Sequence, residues 1–233
     1  MAKLYLLGGE NIAKRNARDI NASAFQDAGG TPAVLVFPWA RASFDKAYKR
    51  RKRLFDYFRS LGASTVDYAE YSDTPEEIAM KAQNSDLIYV TGGLPTALLE
   101  RLKNKNVDRL LHSYNRVIVG RSAGAIALCR QGILTSKNKQ THKLITGLGL
   151  AEFAVKVHYK PSEDEALTRL SKEQKIYAIP ERSALVYANG ALSAIGNVYL
   201  FQNGEKTRLN YPPSTAAQTF KQPESTLLDF EKP

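Results

Sequence analysis

The sequence predicts an α/β protein: a doubly wound, mostly parallel sheet flanked by helices, with an antiparallel β extension toward the C-terminal end. Three observations predict it. Short apolar runs alternate with longer helical patterns up to about residue 132, the order that builds βαβ units. Two of those runs end in small-residue turns, "TGG" at 91–93 and "GRSAG" at 120–124, each opening a helical pattern. Beyond that point β-rich runs are separated by Asn-Gly, Gly-Asn and Asn-Gly pairs, which are hairpin signals.

The elements read in order. "KLYLLGG" (3–9) is a first strand and "IAKRNARDINASAFQDAGG" (12–30) a helix closed by glycines. "PAVLVFP" (32–38) is a buried strand ended by Pro38, followed by a basic helix over 43–61. "STVDYAE" (64–70) is a third strand. "DTPEEIAMKAQNSD" (73–86) opens with an Asp or Thr cap, Pro75 and early Glu residues, a helix-start signature. "LIYVTGG" (87–93) is a fourth strand, "PTALLERLKNK" (95–105) a helix with Pro at its start, and "RVIVGRSAGAIALCR" (116–130) a strand, turn and helix. "GILTSKNKQTHKLITGLGL" (132–150) reads as a long excursion. "FAVKVHYKP" (153–161) is a strand with His158 at its end, and "EDEALTRLSKEQ" (163–174) a short helix. The span 175–209 carries the hairpin signals, and the tail 210–233 has no strong periodicity. The expected organisation is one domain over 1–209 and a surface-wrapping or partly disordered tail over 210–233.

The 233 residues are 43% hydrophobic and 24% charged, as in a soluble globular chain with a full core. No run of 18 apolar residues appears, so no membrane association is expected, and "MAKLYLLGGENIAKR" does not read as a signal peptide. The single cysteine, Cys129, excludes an internal disulfide and a Cys-based zinc site, and the expected compartment is the cytoplasm. The net charge is +10, with pI near 9.6. In the densest basic run, 46–62, the apolar residues Tyr48, Leu54, Phe55, Tyr57, Phe58 and Leu61 recur near helical spacing. The basic residues there read as the solvated face of a helix, and a nucleic-acid partner is not expected. A positive field would also steer an acidic substrate inward.

The chemistry-bearing motif is G-x-S-x-G at 120–124. A nucleophile placed on a sharp strand-to-helix turn needs small neighbours, and this motif has a strand before it and a helix after it. Ser122 is the candidate nucleophile; a Gly-rich anion-binding turn is the alternative. A serine nucleophile needs a base, and the chain has His112, His142 and His158. His112 precedes the fifth strand, His142 lies in a polar stretch, and His158 ends a strand, where side chains are presented at a sheet edge. Elimination favours His158. Between Ser122 and His158 the acidic residue on offer is Glu152; after His158 come Glu163, Asp164, Glu165, Glu173 and Glu181. Glu181, in "YAIPERSALVYANG", sits between two apolar runs and is the preferred acid. Backbone N–H groups of Gly93 and Ala123 are candidates for an oxyanion hole. No metal site and no cofactor motif is read.

Together, "LIYVTGGLPTALLERL", "VIVGRSAGAIAL", "LGLAEFAVKVHY" and "YAIPERSALVYANG" resemble the dipeptidase E and cyanophycinase family of serine peptidases, over roughly residues 1–200. The resemblance implies a flavodoxin-like fold of the class I glutamine amidotransferase type, with Ser122 as nucleophile, His158 as base and Glu181 as orienting acid. It implies acyl-enzyme hydrolysis of small peptides, with acidic (aspartyl) peptides as a candidate class. A monomer or homodimer is expected. An inactive ligand-binding member and an esterase or acyl-transferase are the competing readings. Leu94 stands where the family often has Asn, and Arg121 where many members carry an uncharged residue, which makes both candidates for substrate binding.

Overall fold

The computed structural model describes residues 1–41, 50–136 and 141–209. Strands β1 (Lys3–Leu7), β2 (Ala33–Phe37), β3 (Thr65–Tyr68), β4 (Leu87–Val90) and β5 (Val117–Arg121) run parallel. β10 (Ala184–Ala188) and β11 (Ala191–Ile195) continue this sheet antiparallel, in the order β11-β10-β1-β5-β4-β2-β3. Both faces are covered, so its central strands are near-continuous apolar runs. Tyr5 and Leu7 of β1 pack in one cluster with α1 (Arg18–Asp27) and α2 (Arg50–Arg59). Leu4 and Leu6 pack in another with α3 (Pro75–Gln83), α4 (Pro95–Asn104), α5 (Val107–Ser113) and α6 (Ala123–Leu128). This is the period-two split that a doubly wound sheet requires.

Local helix signals are used as read. Thr74 and Glu77 form a reciprocal capping box ahead of Pro75. The helix expected over 12–30 is broken: Ile12–Lys14 is a 3₁₀ turn, Arg15 takes φ 50°, and α1 begins at Arg18. The basic helix is described from Arg50, and residues 42–49 lie outside the described residues, as do 137–140 and the tail over 210–233.

The largest departure lies after residue 128. The expected excursion is a hairpin of β6 (Cys129–Thr135) and β7 (His142–Thr146). With β8 (Ala151–Val157), β9 (Ile176–Ile179), β12 (Tyr199–Gln202) and β13 (Glu205–Arg208) it forms a second sheet, ordered β13-β12-β9-β8-β6-β7. β6, β8 and β9 are parallel neighbours within it; the remaining pairings are antiparallel. The strand leading to His158 therefore belongs to this sheet and not to the edge of the first. Two of the three Gly/Asn turns are hairpins, β10–β11 and β12–β13. Gly196-Asn197 instead carries the chain from one sheet to the other. Every residue of α6 is buried, and its cluster includes Leu4 and Ile118 of the first sheet and Val155 and Ile179 of the second. A helix covered all round must be small and apolar, which is why it reads "AGAIAL". Among the described residues no helix is long and apolar enough to cross a membrane.

Candidate active site

The site forms at the carboxyl end of β1, where the two sheets meet. Ser122 occupies the turn between β5 and α6 with φ 52° and ψ −106°. That backbone lies outside the ordinary L-residue basins and costs on the order of 1–3 kcal/mol. Its flanking glycines are required by contact. A Cβ on Gly120 would sit 2.7 Å from Gly124 C and from Leu128 Cδ1, and one on Gly124 would sit 2.3 Å from Val90 O. The small residues of G-x-S-x-G thus let α6 close onto β4 and β5.

Ser122 Oγ lies 2.7 Å from His158 Nε2, and His158 Nδ1 lies 3.2 Å from Glu181 Oε1. With the proton on Nδ1, the ring donates to Glu181 and leaves Nε2 to accept the Ser122 hydroxyl proton. His158 follows β8, and Glu181 follows β9 after Pro180, so adjacent parallel strands deliver base and acid side by side. Both side chains are substantially exposed, at 45% and 62%. An exposed pair adds little to stability; what it contributes is ring orientation and tautomer.

The other candidates are placed elsewhere. His112 is on α5, its ring Nδ1 2.9 Å from Asp108 O, and His142 is on β7. Glu163 accepts from Thr135 Oγ1 at 2.6 Å and pairs with buried Lys156 at 3.0 Å. Burial alone would raise the Glu163 carboxyl, but the Thr135 hydroxyl, the Lys156 ammonium and the Lys160 N–H outweigh it and hold it below the usual carboxylate range. Asp164 accepts from Tyr159 Oη and pairs with Lys206. Glu152 is on β8, Glu165 on α7 (Asp164–Leu170), and Glu173 lies beyond that helix. Burial pushes the Cys129 thiol far up, so it is not poised as a nucleophile.

The Gly92–Gly93 turn after β4 lies against the elbow. A Cβ on Gly92 would sit 3.2 Å from Ser122 Cβ, and one on Gly93 would sit 2.1 Å from Ala40 O. Arg121 lines a cavity of about 430 Å³ together with Glu10, Arg41, Arg53, Thr91 and Glu181. Its guanidinium lies 6.0 Å from the Tyr89 ring centroid. Leu94 is 60% exposed at the start of α4 and does not line this cavity. Among the charged lining residues, Glu10, Arg41 and Arg53 are those that sequence reasoning missed. Glu10 had a signal, since it directly follows the Gly-Gly end of β1; the two arginines had none beyond the basic composition. Glu10 accepts from Asn21 Nδ2 at 3.0 Å and from Tyr89 Oη at 3.1 Å. Burial, then the Glu10 charge, raise the Tyr89 hydroxyl well above its ordinary value, so it stays a proton donor.

Comparison with known proteins gives the family and the fold. An uncharacterized peptidase of Listeria monocytogenes is 27% identical over 139 residues, 54% of this chain and 68% of the relative. One from Listeria innocua is 25% identical over 139 residues, 54% and 66%. Among solved structures, a peptidase from an acI-B1 Actinobacterium superposes with TM-score 0.69 at 20% identity, covering 90% of this chain and 94% of its own. A putative peptidase E protein from Listeria monocytogenes EGD-e superposes with TM-score 0.64 at 21% identity, covering 84% and 98%. At these identities the two structures establish a shared fold. The sequence model of peptidase family S51 matches residues 4–195, so the chain belongs to family S51 and is a serine-type peptidase.

Proposed function

We propose that this peptidase hydrolyses small peptides through an acyl-enzyme on Ser122, with His158 as general base and acid and Glu181 as the orienting carboxylate. The observation that carries this reading is the 2.7 Å approach of Ser122 Oγ to His158 Nε2. Ser122 Oγ bonds to the scissile carbonyl carbon as its proton passes to Nε2. Backbone N–H groups of Gly93 and Ala123 receive the developing oxyanion. The carbon–nitrogen bond then breaks and Nε2 hands the proton to the departing amine; water, deprotonated by the same nitrogen, attacks the acyl carbon, and Nε2 returns that proton to Ser122 Oγ as the acyl group leaves. Glu181 accepts from Nδ1–H throughout and stabilises the imidazolium.

Acidic peptides are the preferred substrates in this reading. Arg41, Arg53 and Arg121 outnumber Glu10 and Glu181 in the lining of the cavity, which gives it a net positive charge. Arg121 contacts substrate from within the cavity, and Leu94 from the exposed start of α4. Residues 1–209 act as one domain, in the cytoplasm, as a monomer or homodimer. The test is covalent labelling by a fluorophosphonate probe, lost in Ser122→Ala, followed by a dipeptide library scanned at the N-terminal residue. Folded protein that resists the probe would sink the acyl-enzyme mechanism. Labelling with ester but no dipeptide hydrolysis would replace the peptide substrate with an ester.

A further inference from the structure

We infer that Leu7 at the end of β1 and Gly8–Gly9 just beyond it are the template that positions the site, and that Gly9 is a positioning residue for the His158–Glu181 pair; this rests on the Ser122–His158–Glu181 reading. Among the described residues seven non-glycines have positive φ: Arg15, Asn106, Ser122, His158, Arg182, Asn189 and Asn203. Three are Asn, which tolerates that region, and Arg15 closes the 3₁₀ turn. The remaining three are Ser122, His158 and the residue after Glu181. Each donates its backbone N–H to successive carbonyls of one short strand end: Ser122 to Leu7 O at 2.9 Å, His158 to Gly8 O at 2.9 Å, and Arg182 to Gly9 O at 3.0 Å. Gly8 N–H donates in turn to Ser183 O at 3.0 Å. Three strained backbones, arriving from three different strands, are thus held by consecutive peptide groups of a fourth. Their mutual spacing is set by three consecutive peptide groups, with a bend at Gly8.

The two glycines differ in what they leave room for. A Cβ on Gly8 would sit 2.1 Å from Pro180 O and 2.3 Å from Ile179 O, so any side chain there strikes backbone. A Cβ on Gly9 would sit 2.5 Å from His158 Cε1, 2.6 Å from His158 Nδ1 and 3.0 Å from Glu181 Cγ. Its three nearest neighbours are therefore all atoms of the two proposed catalytic side chains. Gly9 also has no left-handed φ to maintain. One added methyl at residue 9 must push the imidazole and the carboxylate apart, and both are exposed enough to swing away while the fold stays closed.

Gly9→Ala tests this on the full chain, with thermal unfolding, the fluorophosphonate labelling rate and the His158 ring ¹⁵N shifts, assigned with His158→Ala. The expected variant unfolds within a few degrees of wild type and labels at least tenfold more slowly. Its His158 ring loses the Nδ1–H tautomer that Glu181 enforces. Adding Gly9→Ala to Glu181→Ala should slow labelling by less than it does in wild type, because both changes act through one pair. Wild-type labelling and an unchanged tautomer in Gly9→Ala would overturn the inference, as would failure of the variant to fold or an additive double variant. If wild type itself resists the probe, the Ser122 mechanism falls, while the ring shifts still decide whether Gly9 holds the pair.

Discussion

Gly124→Ala is the sharpest test of how the elbow is built. Gly124 is in the first turn of α6, and a methyl there would place its carbon 2.3 Å from Val90 O, where ordinary contact begins at 3.4 Å. Relief requires α6 and β4 to separate by about 1.1 Å, the difference between those two distances. Both elements are fully buried, and α6 is clamped between two sheets, so the displacement has no soft direction. Overpacking of this kind costs about 1–3 kcal/mol. For a chain of this length that is a fall in Tm on the order of 2–12 °C. The functional loss should exceed the loss of stability. Ser122 moves with the start of α6 while the Gly92–Gly93 turn stays with β4, and a displacement of about 1 Å at a reacting group costs on the order of 10²-fold in rate. Calorimetry and the fluorophosphonate labelling rate, measured below the lowered Tm, separate the two effects. A Gly124→Ala protein that unfolds at the wild-type temperature and labels at the wild-type rate would show that α6 does not need to touch β4 to aim Ser122.

Three further outcomes are expected. Glu163→Gln leaves the Lys156 ammonium buried without its charge partner and should cost about 3 kcal/mol at neutral pH, read by chemical denaturation. Because the folded Glu163 carboxyl is held below its ordinary range, its contribution is present above that range and fades as pH falls through the folded value; the gap between wild type and Glu163→Gln should therefore narrow in acid, and a constant gap contradicts the pairing. Arg121→Ala should raise KM for acidic dipeptides at least tenfold and leave neutral dipeptides within about threefold, since a charge-assisted hydrogen bond is worth about 1.5–3 kcal/mol; equal losses on both would remove Arg121 from substrate selection. Ser122→Gly should be more stable than Ser122→Ala by about 1 kcal/mol, because glycine relieves the positive-φ backbone that alanine retains, and equal stabilities would mean the turn stores no strain.

What could be read from the sequence is what local physics dictates. Apolar runs and their spacing specify β1 to β5 and α1 to α4, though not α5 or the break ahead of α1, and the Thr74–Glu77 box and Pro95 mark helix starts within a few residues. The elbow was legible because Gly120 answers to Gly124 and Leu128 of the same strand-turn-helix unit, whereas the contact that requires Gly124 comes from Val90 of β4. His158 was legible by scarcity, with three histidines to choose among. Strand pairing is not local. Gly196-Asn197 has hairpin chemistry yet crosses between sheets, because a turn specifies a reversal and not the partner that receives it. The left-handed backbones at His158 and Arg182 are invisible in residue types that rarely adopt them. Arg41, Arg53 and Glu10 come from separate segments and share a cavity only because the sheet order brings them together. The sequence by itself determined most of the elements before residue 129, the elbow and the inventory of groups able to do chemistry. Tertiary structure alone decided that β8 and β9 lie side by side in a second sheet and that the carbonyls of Leu7, Gly8 and Gly9 hold Ser122, His158 and Arg182 in place. The β8–β9 partners are 22 positions apart and the three carbonyl contacts join residues more than 100 positions apart, so no pattern within a short window of sequence encodes either.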